Sequence, residues 1–337
     1  MVSELLTTTA AYIDAPGPPE AIRVGELPLE RPGPREVLVL TDTVVVDPVD
    51  TYIRSGSYRT SLPRPYIIGR DLVGTVVATG AEVDVPAAGD RVWCNSMGID
   101  GRQGTFATFV VVPAERLFPL PPDVDPVTAV AALHPATTAV LGLLTHAALA
   151  PGETVFVGGG AGNVGTAMTQ VAAAHGAEVI VSAREEDAAW CRRAGARAVV
   201  DYREPEFAER LTAQVPDGVD VYVDTSGRID LDLAVSLLRP RGRIVLMSGT
   251  AQRPELPVGP LYTKHGRIIG FAIGHATVAE LSEAARVVTA GLTRSAPLPS
   301  GWMVRIHDVL PLTKAAYAHR LVEQSVRGRV VLRTEDT

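Results

Sequence analysis

Hydrophobic and polar positions change their period once along this chain. Up to about residue 126 the apolar residues come in short runs punctuated by Pro, Gly and Asp. Examples are Glu36-Val37-Leu38-Val39-Leu40, Gly74-Thr75-Val76-Val77-Ala78 and Phe106 to Val112. Gly89-Asp90-Arg91-Val92 reads as a turn entering a strand. Short strands between turn residues predict a small β-barrel or sandwich. From Pro126 the pattern alternates between helix and strand. Strands are predicted at Thr154 to Val157, Glu178 to Ala183, Ala198 to Tyr202, Val219 to Asp224, Gly242 to Met247 and Arg267 to Ala272. Helices are predicted at Glu185 to Ala194, Glu206 to Val215 and Leu231 to Leu238. That alternation predicts an α/β fold with a doubly wound parallel sheet. The tail, about 277 to 337, adds a helix and closing strands, and no internal repeat is visible.

One turn in this pattern carries chemistry. The strand Thr154 to Val157 runs into Gly158-Gly159-Gly160-Ala161-Gly162-Asn163-Val164-Gly165, and a helix follows with Val164, Ala167, Met168, Val171 and Ala172 on one face. Gly160-x-Gly162-x-x-Gly165 between a strand and a helix is the dinucleotide-binding fingerprint. The glycines admit a pyrophosphate close to the backbone, and the helix N-terminus stabilises its charge. The competing reading is a glycine-rich turn without a ligand. The second strand selects the dinucleotide. A free ribose 2′-hydroxyl usually meets Asp or Glu about 20 residues on. Here Ser182-Ala183-Arg184 stand at that strand tip, and a hydroxyl and a guanidinium suit a 2′-phosphate. NADP(H) is the expected cofactor, with the alternative that Glu185 takes the ribose.

Composition narrows the class. The 337 residues are 46% apolar and 20% charged, which suits two domains with a sizeable core. A net charge of −7 argues against nucleic-acid or anionic-membrane partners. The two cysteines, Cys94 and Cys191, are far apart, give no zinc spacing, and fit a reducing cytoplasm. Met1 to Tyr12 lacks the features of a signal peptide. Ala129 to Ala150 is the most membrane-like stretch, but His134, Pro135 and several threonines predict a buried helix rather than a span.

Several strings together resemble the medium-chain dehydrogenase/reductase superfamily, and within it the zinc-free quinone oxidoreductase branch to which zeta-crystallin belongs. They are Asp47-Pro48-Val49-Asp50-Thr51-Tyr52-Ile53-Arg54-Ser55-Gly56, Gly69-Arg70-Asp71-Leu72-Val73-Gly74, Gly89-Asp90-Arg91-Val92, Asp201-Tyr202-Arg203, Asp224-Thr225-Ser226-Gly227 and Arg327 to Leu332. The resemblance covers nearly the whole chain. It implies a GroES-like β-barrel catalytic domain at 1–126 and 277–337, and a Rossmann domain at 127–276. Beyond the fingerprint residues Gly160, Gly162, Asn163, Val164 and Gly165, it implies cofactor contacts from Ser182, Arg184 and Tyr202. It also implies contacts from Pro48 and Thr138, from Ser226, Ser248 and Gly249, and from Phe271, Ile273 and Arg329. Relatives pair their last Rossmann strand across a two-fold axis, so a homodimer is expected through Arg267 to Ala272.

The departures bear on chemistry. By register, Asp47, Arg70 and His134 stand where zinc-dependent relatives place metal ligands, and the four-cysteine lobe is missing. An Arg offers no lone pair to a cation, so no catalytic metal is expected. Asp47 replaces the branch's usual Asn and is expected to pair with Arg70, since buried charges persist when paired. Without a metal an isolated alkoxide is poorly stabilised, whereas a quinone or enone delocalises the incoming charge. Tyr52 and His134 are the candidate donors at the reacting end, each with an ordinary packed role as the alternative. The expected activity is NADPH-dependent reduction of quinones or α,β-unsaturated carbonyls. The alternatives are a biosynthetic ene- or imine-reductase and a non-enzymatic crystallin-like protein.

Overall fold

The computed structural model describes residues 6–298 and 300–334. Two compact units emerge, Met1–His134 with Val304–Thr337, and Pro135–Met303. The expected boundaries at 126 and 277 both lie earlier than these. The helix Pro126–Val140 runs through the first boundary. The helix Val278–Leu292 goes with the second unit because its buried face, Leu281, Ala284, Ala285 and Val288, is held there. Trp302 Nε1 donates to Val288 O at 2.9 Å, and the Gln170 amide ties Gly301 and Met303 at 2.9 and 3.0 Å.

The first unit is built on Glu36–Val45. This strand pairs antiparallel with Leu72–Thr79 on one side and Arg329–Arg333 on the other, and also with Phe109–Pro113. Ile306–Pro311, Arg91–Cys94 and Phe118–Pro119 complete a seven-stranded sheet. A three-stranded sheet of Arg23–Leu29, Leu6–Ile13 and Tyr66–Ile67 packs with it. The alternating branched residues Val37, Val39, Val76, Val92, Val110 and Val112 fill the core between them. The helix Pro48–Ser55 starts at a proline, which suits its first turn, and ends at Gly56, whose φ of 82° is the left-handed cap that glycine adopts without strain. In the tail the structure adds a second helix, Ala315–Glu323, to the expected one.

In the second unit all six expected strands form one parallel sheet. Its spatial order is Ala198–Val200, Glu178–Ser182, Thr154–Gly158, Val219–Asp224, Leu238–Leu246 and Arg267–Gly270. That is the doubly wound order with the fingerprint strand beside the switch point. The expected helix at Glu185 to Ala194 splits into a 3₁₀ turn, Glu185–Asp187, and the helix Ala188–Ala194. Pro126–His146 is long and apolar enough to cross a membrane, yet 89% of its most apolar window is buried inside the protein, as expected for a core helix.

Candidate functional site

The fingerprint turn folds as its glycines require. A Cβ on Gly160 would lie 2.5 Å from Val181 Cβ, and one on Gly165 would lie 2.1 Å from Gly159 O. Gly162 meets only Gly159 O at 3.3 Å, so the space outside the turn stays open. The helix Asn163–Ala174 begins with no side-chain cap at Gly162, and its first intrahelical bond is Thr166 N to Gly162 O. The N–H groups of Asn163, Val164 and Gly165 therefore have no intrahelical acceptor, which is the cradle an anionic pyrophosphate needs.

Of the expected cofactor residues, those from Ser182 to Ile273 lie at the carboxyl ends of the parallel strands, whereas Thr138 is on the helix Pro126–Val140 and Pro48 and Arg329 belong to the first unit. Ser182 is buried, and its hydroxyl oxygen accepts from Gly159 N at 3.1 Å, so it braces the turn. Arg184 and Tyr202 are exposed and joined by an Nε–Oη hydrogen bond of 3.1 Å. Of the nearby carboxylates, Arg203 binds Asp201 at 2.8 Å and Glu186 at 2.9 Å, while the other Glu186 oxygen lies 3.9 Å from Arg184 and Glu185 is exposed. Ser226 caps Asp224, and Ser248 donates to Asp224 O at 3.2 Å, which joins two neighbouring strand ends. Gly249 has a φ of 81°, and a Cβ there would press on Gly227 O at 2.9 Å. Phe271 packs on His146 with ring centroids 4.8 Å apart, followed by the buried Ile273. Thr138 is buried, and its hydroxyl has no hydrogen-bond partner among the described residues.

A second constellation lies in the first unit, where three strands deliver charges to one end of the sheet. Asp47 follows Glu36–Val45, Arg70 and Asp71 precede Leu72–Thr79, and Arg329 opens its own strand. Val331 opposite Val45 and Leu72 opposite Val44 set the register that brings them together. Arg329 Nη2 donates to Asp47 Oδ1 at 2.6 Å. His134 Nδ1 lies 3.6 Å from both Asp47 Oδ2 and Asp71 Oδ2. Asp50 Oδ2 accepts Asp47 N–H at 2.8 Å, and its other oxygen lies 3.3 Å from Arg70 Nε. The expected Asp47–Arg70 pair is therefore corrected: Asp47 pairs with Arg329, and Arg70 with Asp50. Register explains the exchange, because Asp47 stands directly across the sheet from Arg329. Arg329, expected at the cofactor, is buried on Asp47.

Burial and charge compete throughout this cluster. Burial opposes charge on His134, but the Asp47 and Asp71 carboxylates outweigh it and raise its pKa. Burial works against the Asp47 anion, yet Arg329 and His134 hold its pKa below the usual carboxylate range. Burial and the Asp47 charge push Asp50 up to about 7 and raise Asp71 as well.

Asp47, Asp71 and His134 present three ligand atoms within 4.8 Å of one another, a set that could hold a metal ion. The charge balance argues against a divalent ion. Even fully ionised, Asp47, Asp50 and Asp71 are already cancelled by Arg70, Arg329 and protonated His134. A dication would take His134 as neutral imidazole and leave one uncompensated positive charge among buried groups, which is costly. A proton on His134 fits this site better than a metal.

Tyr52 is 46% exposed on the helix Pro48–Ser55, beside the exposed Pro48, and its phenol makes no hydrogen bond among the described residues. The structure does not join it to His134. Sequence reasoning missed Asp50 and Asp71 as members of the cluster, although both lie inside the two strings that carry the resemblance.

Comparison with known proteins agrees with this architecture. Residues 33–122 match the family described as alcohol dehydrogenase GroES-like domain, and residues 163–290 match zinc-binding dehydrogenase. The quinone oxidoreductase of Mus musculus is 31% identical, over 90% of each chain. A mycobacterial quinone oxidoreductase superposes with a TM-score of 0.83 at 29% identity, covering 97% of this chain and 100% of the other. A mycobacterial protein solved in complex with NADPH gives 0.82 at 29% identity, with the same coverage. With its fingerprint turn, its two-unit architecture and these relatives, the chain belongs to the medium-chain dehydrogenase/reductase superfamily, in its quinone oxidoreductase branch, and is an oxidoreductase.

Proposed function

We propose that this oxidoreductase is a cytoplasmic, metal-independent enzyme that uses NADPH to reduce quinones or α,β-unsaturated carbonyls. The observation that carries the reading is the pairing of Arg184 with Tyr202, two exposed groups at the tip of the second strand of a dinucleotide fold. A guanidinium there complements a ribose 2′-phosphate, although Glu186 lies 3.9 Å from it and the exposed Glu185 follows it in the chain. The mycobacterial relative solved with NADPH supports the same choice.

NADPH supplies the hydride when bound. The glycine turn and the first turn of Asn163–Ala174 hold its pyrophosphate. Hydride addition to a conjugated acceptor leaves an oxyanion that needs one proton. Asp47 and Asp71, facing Nδ1, favour the imidazolium form of His134, which can give up a proton from Nε2, and the Tyr52 hydroxyl can donate to the oxyanion. The decisive experiment measures initial rates of NADPH and NADH oxidation against a panel of quinones, enones and cyclic imines. NADPH-linked turnover of quinones or enones is expected. Equal use of NADH, or turnover of cyclic imines alone, would overturn the reading.

A further inference from the structure

In the first unit Arg102 stands within reach of the charges of Arg116 and Arg70, with Asp100 opposing them, and Arg116 shares the surroundings of Cys94 with Asp71. The Arg70 carbonyl accepts Met97 N at 3.1 Å, which lays the loop after Arg91–Cys94 against it, and that loop carries Arg102. Trp93 pairs in register with Phe118 and packs on its ring at 4.7 Å, and Arg116 lies two residues before Phe118. Arg70 has Asp50 as its ion-pair partner. Among the described residues no carboxylate lies within ion-pair distance of Arg102 or Arg116. Among the described residues, buried Arg70 Nη2, Trp93 Nε1, Arg102 Nε and Arg116 Nη1 make no hydrogen bond, nor do the Asp71 oxygens. Arg70 and Trp93 are each 1% exposed or less, whereas Arg102 and Arg116 are half-buried and reach solvent. Burial first, then the Arg116 charge, lowers the Arg102 pKa; Arg70 adds to this and Asp100 opposes it.

Like charges without acceptors are costly when desolvated. Water could accept some of these hydrogen bonds but could not cancel the charge. An oxyanion does both, since carboxylates and phosphates accept several charge-assisted bonds from guanidinium groups. We propose that Arg102 and Arg116, backed by Arg70 and Trp93, bind an oxyanionic group, carboxylate or phosphate, carried by the conjugated carbonyl substrate. The inference rests on the reductase reading above.

Two measurements test it. The first is binding of succinate and of inorganic phosphate to the whole protein, by calorimetry and thermal shift at constant ionic strength. Wild type should bind at least one of them, and Arg102→Gln and Arg116→Gln should weaken that binding about ten- to a hundredfold. The stronger probe tells carboxylate from phosphate. The second is the KM of an enone carboxylic acid against that of its methyl ester. The acid should have a KM about tenfold or more below the ester in wild type, and this ratio should collapse towards one in both variants. Equal KM values together with no specific anion binding would overturn the inference, even if neutral enones are reduced. Anion binding that is lost in the variants, with no conjugated carbonyl reduced, would leave the anion site standing and remove the reductase reading.

Discussion

Arg329 donates a hydrogen bond of 2.6 Å to Asp47, 282 positions earlier in the chain, and both side chains are buried. Removing one member leaves the other charge buried without its partner, which costs about 3–5 kcal/mol. Arg329→Met or Asp47→Asn should each lose stability on that scale in urea unfolding. The double variant should lose less than the sum. Single variants within about 1 kcal/mol of wild type would show that the pair is dispensable.

His134 and Tyr52 should act at the reacting end. His134→Ala or Tyr52→Phe should lower kcat roughly tenfold to a thousandfold, the range for a positioned acid or donor. NADPH affinity should stay near wild type. No change in kcat for both variants on the true substrate would remove the chemistry assigned here.

The raised pKa of His134 sets a direction for pH. Its folded value lies above the ordinary value of about 6.5, so its contribution to stability is complete below that pH and is lost as pH rises through the folded value. The proton it offers is lost over the same interval, so kcat should fall on the alkaline side. Asp47→Asn removes the larger carboxylate influence and should move that alkaline limb to lower pH. A limb that stays in place would separate His134 from the rate.

Arg184→Asp should shift preference from NADPH towards NADH, because a carboxylate at that strand tip repels a 2′-phosphate. The ratio of kcat/KM for the two cofactors reads this directly. An unchanged ratio would mean that the 2′-phosphate is held by another group.

Turnover should survive prolonged chelation, and elemental analysis should find less than stoichiometric zinc. The charge count around Asp47, Asp71 and His134 leads to this expectation. Stoichiometric zinc with chelator-sensitive activity would mean that the three ligand atoms hold a metal after all.

The second unit was readable from local pattern because each of its elements is a contiguous run with its own period. Thr154 to Val157, the glycine turn and the helix after it need no knowledge of distant residues, and alternation alone predicts that the six strands run parallel. The charge cluster was only partly readable. Asp47, Arg70 and His134 could be singled out by register with relatives, but the partner of each depends on which strands lie side by side. Val331 opposite Val45 is a long-range pairing with no local trace in sequence. That pairing gave Asp47 to Arg329 and left Arg70 to Asp50. Arg102 and Arg116 had no motif at all, and the Trp93–Phe118 pairing that fixes where Arg116 sits is equally long-range.

The strand order of the first unit also bears on how the protein is made. Asp47 emerges from the ribosome long before Arg329, and at about 5–20 residues per second the gap is roughly 15 to 60 seconds. Over that interval the nascent chain can fold around a carboxylate whose counter-charge has not yet been synthesised. The first unit can therefore close only after translation has passed residue 329, whereas the sheet of the second unit is complete once Arg267–Gly270 has emerged.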